Sequence, residues 1–183
     1  MTEIFATMDE ALAELKKGGM VILADNENRE NEGDIVALGQ EITPETVNFM
    51  ITHARGLLCA PMSPDMAKKL GFKMMVENST DPNQTPFTVS TDGEYNATGV
   101  TTGVSAFDRA ATIKYMTAAD AKPNHFNHPG HVCPLIAQAA GLKARTGHTE
   151  ASVELAKLAG KAPVAAIIEI IQADGHMARR DEL

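Results

Sequence analysis

The chain has 183 residues, 44% of them hydrophobic, 4% aromatic and none tryptophan. That is enough for one domain with a full core, and it offers no stacking platform for single-stranded nucleic acid. Lys+Arg 16 against Asp+Glu 24 leaves a formal net charge of −8, the wrong sign for a general polyanion binder, although a few local donors suffice for a small phosphorylated ligand.

The N-terminus MTEIFATMDEALAEL carries acidic residues where a secretory signal would be basic. No stretch approaches the roughly 20 apolar residues of a membrane span. Cys59 and Cys133 make no C-x-x-C motif, and two thiols cannot form a disulfide framework. A soluble cytoplasmic protein with no membrane or nucleic-acid partner is expected.

In chain order, Thr7 to Glu10 reads as a capping box opening a helix that stops at Gly18-Gly19. MVILA follows as a short apolar strand, the acidic segment after it as a loop, and Asp34 to Leu38 as a second strand. Thr43-Pro44 and Ser63-Pro64 each start a helix, with Pro in the first turn. Between these helices LLCAP reads as a strand. ENSTDPNQTP is polar and Pro-rich, hence a loop, and FTVST alternates as a strand. Ser105 to Asp108 forms a second capping box. AKPNHFNHPGH reads as a loop before the strand-like VCPLIA. RTGHTEA leads into a helix with Ala151, Leu155 and Leu158 inward and Gly160 as its cap. PVAAIIEII reads as a buried strand. This alternation predicts one layered α/β domain of the α+β type over residues 1–183, with a mixed sheet and surrounding helices. G-x-G-x-x-G after the first strand and G-x-x-x-x-G-K-[ST] are both missing, so neither nucleotide fold is supported.

Four clusters offer chemistry. Five of the ten residues from Asp25 to Asp34 are carboxylates, opposed by Arg29 alone. They suit a solvated acidic turn or a site for a hard divalent cation, and spacing leaves both readings open. An EF-hand frame starting at Asn28 fails, because its twelfth position is Gly39. Arg145-Thr146-Gly147-His148-Thr149-Glu150 sits where a helix begins, so free N–H groups, Arg145 and the Thr149 hydroxyl suit a phosphate. An ordinary N-cap with a surface histidine reads the same residues equally well. Glu169 shares a strand face with Ala165, Ile167 and Ile171, which predicts a desolvated carboxyl of raised pKa unless the strand end frees it to water. His125, His128 and His131 are spaced for zinc only loosely, and His131 beside Gly130 is the better catalytic candidate. Cys59 reads as a buried small hydrophobe rather than a nucleophile.

Together these segments resemble the 3,4-dihydroxy-2-butanone 4-phosphate synthase family of riboflavin biosynthesis. The matching stretches are DNENRENEGDIV, GLLCAPM, FTVSTD, TGVTTGVSAFDRAATI, HPGHVCPL, RTGHTEASVELAKLAG and IIEIIQADGHMAR, in family order over nearly the whole chain. The resemblance implies conversion of ribulose 5-phosphate to 3,4-dihydroxy-2-butanone 4-phosphate and formate, with two Mg²⁺ ions and Mn²⁺ as an alternative. It implies Glu30 and His148 as metal ligands. It places Arg29, Glu30, Asp34, Cys59, Arg145, Thr146, Gly147, His148, Thr149 and Glu169 against substrate, and His131, Glu169, Glu32 and Asp34 in proton transfer. Asp25 and Glu27 are left as solvated bystanders. A homodimer with active sites at its interface is implied too, with residues of Ser105–Thr112 facing the neighbouring subunit. The family usually continues past DGHMARRDEL, which fits a natural short form, a truncation, or the synthase part of a fusion with GTP cyclohydrolase II. It also often has Arg where this chain has His128 and Ile136.

Overall fold

Alternating apolar residues on both faces of the central strands require cover on two sides, and the helices supply it. The computed structural model describes residues 5–183, so the first four residues of the acidic N-terminus lie outside the described residues. Helix α1 (Met8–Lys16) begins with the expected reciprocal box, Thr7 Oγ1 accepting from the Glu10 N–H at 3.3 Å while the Glu10 carboxylate accepts from the Thr7 N–H at 2.8 Å. Strands β1 (Val21–Ala24) and β2 (Gly33–Leu38) flank the acidic loop. Helix α2 (Pro44–His53), strand β3 (Cys59–Met62) and helix α3 (Pro64–Leu70) follow, and α3 ends at Gly71 with φ 73°. Strand β4 (Thr91–Gly93), helices α4 (Tyr95–Thr98) and α5 (Ala106–Met116), strand β5 (Phe126–Ile136), helix α6 (His148–Leu158) and strand β6 (Ala165–Glu169) complete the order.

Among the described residues six strands form one mixed sheet in the order β1-β2-β6-β3-β5-β4, in which β3 and β5 are parallel and the other neighbours antiparallel. Successive residues of a strand point to opposite faces. Ile35, Ala37, Ala166 and Ile168 therefore pack with α2, α3 and α5 on one side. Val36, Leu38, Cys59, Leu135, Ala165 and Ile167 pack with α1 and α6 on the other. By the same alternation Asp34 and Glu169, paired across β2 and β6, belong to the α6 face.

Four local expectations are corrected. FTVST is not a strand: Phe87 and Thr88 make isolated bridges to Leu135 and Met74, and the regular strand starts at Thr91. They lie against Pro134, which has no N–H to continue a ladder, so the Thr88 N–H donates to the Pro134 carbonyl at 3.0 Å instead. AKPNHFNHPGH is not all loop, because β5 runs through it from Phe126. Thr91 faces Val132 and Asp92 faces Asn127, so residues 128–131 bulge out of the ladder. At Ser105 only half the box forms: Ser105 Oγ accepts from the Asp108 N–H, and the Asp108 carboxylate turns to the N–H groups of Thr101 and Gly103. Leu158 is 51% exposed, at the end of the inward face of α6.

Candidate active site

The acidic loop is ordered around Asp25, which is no bystander. Its carboxylate accepts from the Glu32 N–H at 2.9 Å, the Glu30 N–H at 3.2 Å and Arg29 Nη1 at 2.7 Å. Burial opposes that charge, but these donors hold the carboxyl below its ordinary pKa. Asn31 takes the left-handed conformation at φ 53°, which Asn tolerates better than most residues. Glu30 and Glu32 are thereby presented with their side chains directed alike. Glu27, by contrast, is solvated and lies 3.8 Å from Arg180.

From the far side of the α6 face comes the N-terminal turn of α6. Gly147 caps it without a side chain, and a Cβ there would strike the Arg145 guanidinium. The absent side chain lets Arg145 and Arg29 approach the helix start together. Arg145 Nη1 is held at 2.9 Å by Glu150, whose buried carboxylate also accepts from the Gln138 N–H at 3.0 Å. Glu150 is a positioning residue that the motif contained but that had been assigned no role.

His148 is buried next to the loop, with Nδ1 3.5 Å from Glu30 and 3.9 Å from Asp34. Burial opposes its protonation, yet Glu30, Asp34 and Asp25 outweigh that and raise its pKa. His148 in turn lowers the Glu30 carboxyl, with Arg29 adding to the effect. Asp34 behaves oppositely: burial, reinforced by Glu169, Glu30 and Glu32, pushes its carboxyl up to about 7 despite His148. Burial and the neighbouring Glu30 also raise Glu32. The strongly desolvated carboxyl of this cluster is thus Asp34, which pairs with Glu169 across the strands. Glu169 ends β6 half-buried and accepts from the Leu57 N–H at 2.8 Å.

Arg29, Glu30, Glu32, Asp34, Cys59, Arg145, His148, Thr149 and Glu169 line one cavity of about 100 Å³. Thr85 of the polar loop joins them, and no sequence signal marked it. Thr146 lines an adjoining hollow with Arg29, Asn83 and Arg145. His131 is not among these residues. It lies in the β5 bulge, where its Nδ1 meets Asp92 at 2.7 Å and its N–H donates to the same carboxylate at 2.8 Å.

The cavity fits a hard divalent cation. Two buried polar atoms of its lining, His148 Nε2 and Asp34 Oδ1, have no hydrogen-bond partner. Ligand atoms of Asp25, Glu30 and His148 all lie within 4.8 Å of one another. Oxygen donors with one imidazole suit Mg²⁺ or Mn²⁺ better than zinc. Among the described residues no such group includes His125, His128 or His131.

A family model described as 3,4-dihydroxy-2-butanone 4-phosphate synthase matches residues 9–183. The chain belongs to that family. It is 51% identical over 180 residues to the riboflavin biosynthesis protein RibBA of Bacillus mycoides (strain KBAB4), covering 98% of this chain and 44% of that one. The chain thus spans less than half the length of such curated relatives. Among solved structures, a synthase of this family in complex with two magnesium ions is 42% identical with a TM-score of 0.92, over 97% of this chain and 87% of that one. RibBX, a two-domain synthase from A. baumannii, is 45% identical with a TM-score of 0.91, and this chain covers 51% of it. The family fold is therefore that of this chain, and no helix among the described residues is long and apolar enough to cross a membrane.

Proposed function

We propose that this chain is a Mg²⁺-dependent lyase that converts D-ribulose 5-phosphate to 3,4-dihydroxy-2-butanone 4-phosphate and formate, feeding riboflavin synthesis in the cytoplasm. The observation that carries the reading is that His148 Nε2 and Asp34 Oδ1, both buried, find no hydrogen-bond partner among the described residues, in a pocket lined by carboxylates and two arginines. Glu30 and His148 hold the metal, in two-ion stoichiometry with Mn²⁺ as a substitute, and Asp25 lies within reach of the same position. A divalent ion there supplies Lewis acidity, polarising the ketone and acidifying the adjacent C–H.

The protein's own groups do the rest. Arg145, held by Glu150, takes the phosphate together with Arg29, the Thr149 hydroxyl and the N–H groups around Thr146, Gly147 and His148. Asp34, with its pKa near 7, is matched to taking and returning a proton at neutral pH. Glu32 and Glu169 flank it as further proton carriers, and Cys59 forms the wall behind them.

His131 needs a second subunit. It does not line its own pocket and is braced by Asp92, so we assign the His131–Asp92 pair to the pocket of the partner in a homodimer. Tyr95, Val104 and Phe107, exposed by 64%, 55% and 69% around α4 and the start of α5, supply apolar surface for that contact. We take residues 1–183 as one synthase domain, and a fusion with GTP cyclohydrolase II would account for the greater length of the RibBA relatives.

The deciding measurement is formate release from ribulose 5-phosphate. Turnover is expected with Mg²⁺, none with EDTA, and a loss of at least about a hundredfold in Glu30→Ala or His148→Ala. Full turnover in metal-free buffer defeats the proposal. Tight binding of ribulose 5-phosphate with no product would leave a sugar-phosphate binding module.

A further inference from the structure

We propose that Cys59 and Cys133 form a dithiol in the pocket wall that closes reversibly to a disulfide. These are the chain's only cysteines, so neither has another thiol partner within the subunit. They are in-register partners on the parallel strands β3 and β5, and both pack into the core on the α6 face. Neighbouring strands lie about 4.7–4.9 Å apart, inside the Cα window of roughly 4.4–6.8 Å that a disulfide spans. In-register side chains stand on the same face, so the two thiols are neighbours there.

The pair is asymmetric. Cys59 is buried and lines the pocket, whereas Cys133 is half-buried on the next strand. The neighbouring Cys59 thiol lowers the Cys133 thiol, although burial and Glu169 oppose it. The same neighbour and burial push Cys59 up. Cys133 is the more exposed of the two thiols, so it is the first to meet an oxidant, and the buried Cys59 is the resolving partner. With hydrogen peroxide as the oxidant, the Cys133 thiolate takes the terminal oxygen. The O–O bond breaks, and the hydroxide released is protonated to water, leaving a sulfenic acid on Cys133. The Cys59 sulfur, giving up its proton, then attacks Cys133 Sγ. An S–S bond forms, the S–O bond breaks, and a second water leaves, so two thiols and one peroxide give one disulfide and two waters. Dithiothreitol returns both thiols by two exchange steps.

Closing the bond draws the two Cβ atoms to about 3.8 Å, less than the strand spacing. That local pull favours a readily reduced bond over a permanent staple. It also moves Cys59 relative to Ile167 and Leu135, which share the pocket wall.

The test uses the full chain at neutral pH. Folded protein is treated with peroxide, quenched and unfolded, and its free thiols, intact mass and peptides are measured. Both thiols should vanish together, with the mass falling by two hydrogens. One peptide should join the segments containing residues 59 and 133, and dithiothreitol should restore both thiols. Phenylarsine oxide, which bridges close dithiols, should protect both in the native protein and bind far more weakly to Cys133→Ser. The wild-type results stand whether or not that variant folds. Oxygen added to Cys133 with the Cys59 thiol intact, or a bridge only between chains, overturns the proposal.

Discussion

At the scale of single residues, Asp34 is the group with most at stake. Its carboxyl is buried beside three other carboxylates and keeps its proton up to about 7 in the folded state. Unfolded, it ionises near the ordinary value for Asp. Between those two pH values the folded state binds the extra proton. The stability that Asp34 contributes is therefore complete below the ordinary value and is lost as pH rises through about 7. Metal-free Asp34→Asn should consequently be the more stable protein at pH 8, by roughly 1–3 kcal/mol, with the gap closing toward pH 4. Denaturant unfolding in EDTA at the two pH values checks this, and the same substitution should abolish formate release. A wild-type protein as stable as the variant at pH 8 would mean that Asp34 pays no desolvation cost.

At the scale of elements, the acidic loop is held from behind as well as from within. Arg179 Nη1 donates to the Glu30 carbonyl at 2.9 Å and to the Asn31 carbonyl at 2.5 Å, so the segment after β6 clasps the turn that presents Glu30. Arg179→Ala should weaken Mg²⁺ binding several-fold in calorimetry while leaving the α-helical circular dichroism unchanged. Unaltered affinity would reduce Arg179 to a surface contact. Most elements were legible because their signals are local: caps at Thr7, Thr43 and Ser63, the left-handed stop at Gly71, and unbroken apolar runs for β2 and β6. The two strand errors fell where pairing between distant segments decides. The β5 bulge depends on how Thr91 and Asp92 face Val132 and Asn127, and nothing near HPGH in sequence encodes that. The same holds for the site. The two motifs marked most of the pocket, but the roles of Asp25 and Glu150 depend on backbone N–H groups and guanidinium positions that exist only after folding.

At the scale of the whole molecule, the separation of His131 from its own pocket makes an assembly testable. If His131 serves the partner, His131→Ala and Glu169→Ala homodimers are each inactive, but a mixed dimer contains one site with both residues intact. Unfolding and refolding an equal mixture should recover about a quarter of wild-type formate release. Recovery of none, or a monomer by light scattering at working concentration, would place His131 in its own chain's chemistry or outside it.

The pairing of β2 with β6 has a further consequence, for the order of folding. It joins residues 34–38 to 165–169, and the pocket inherits that span, drawing Glu30 and Asp34 from one end of the chain and His148 and Glu169 from the other. Contacts so distant in sequence close slowly, because a long loop must be ordered before they form. On the ribosome, β2 waits with one edge bare until β6 has been made. The carboxylates of the acidic loop acquire their histidine only after residue 148 has been made, so metal capture reports the folding of this domain rather than guiding it.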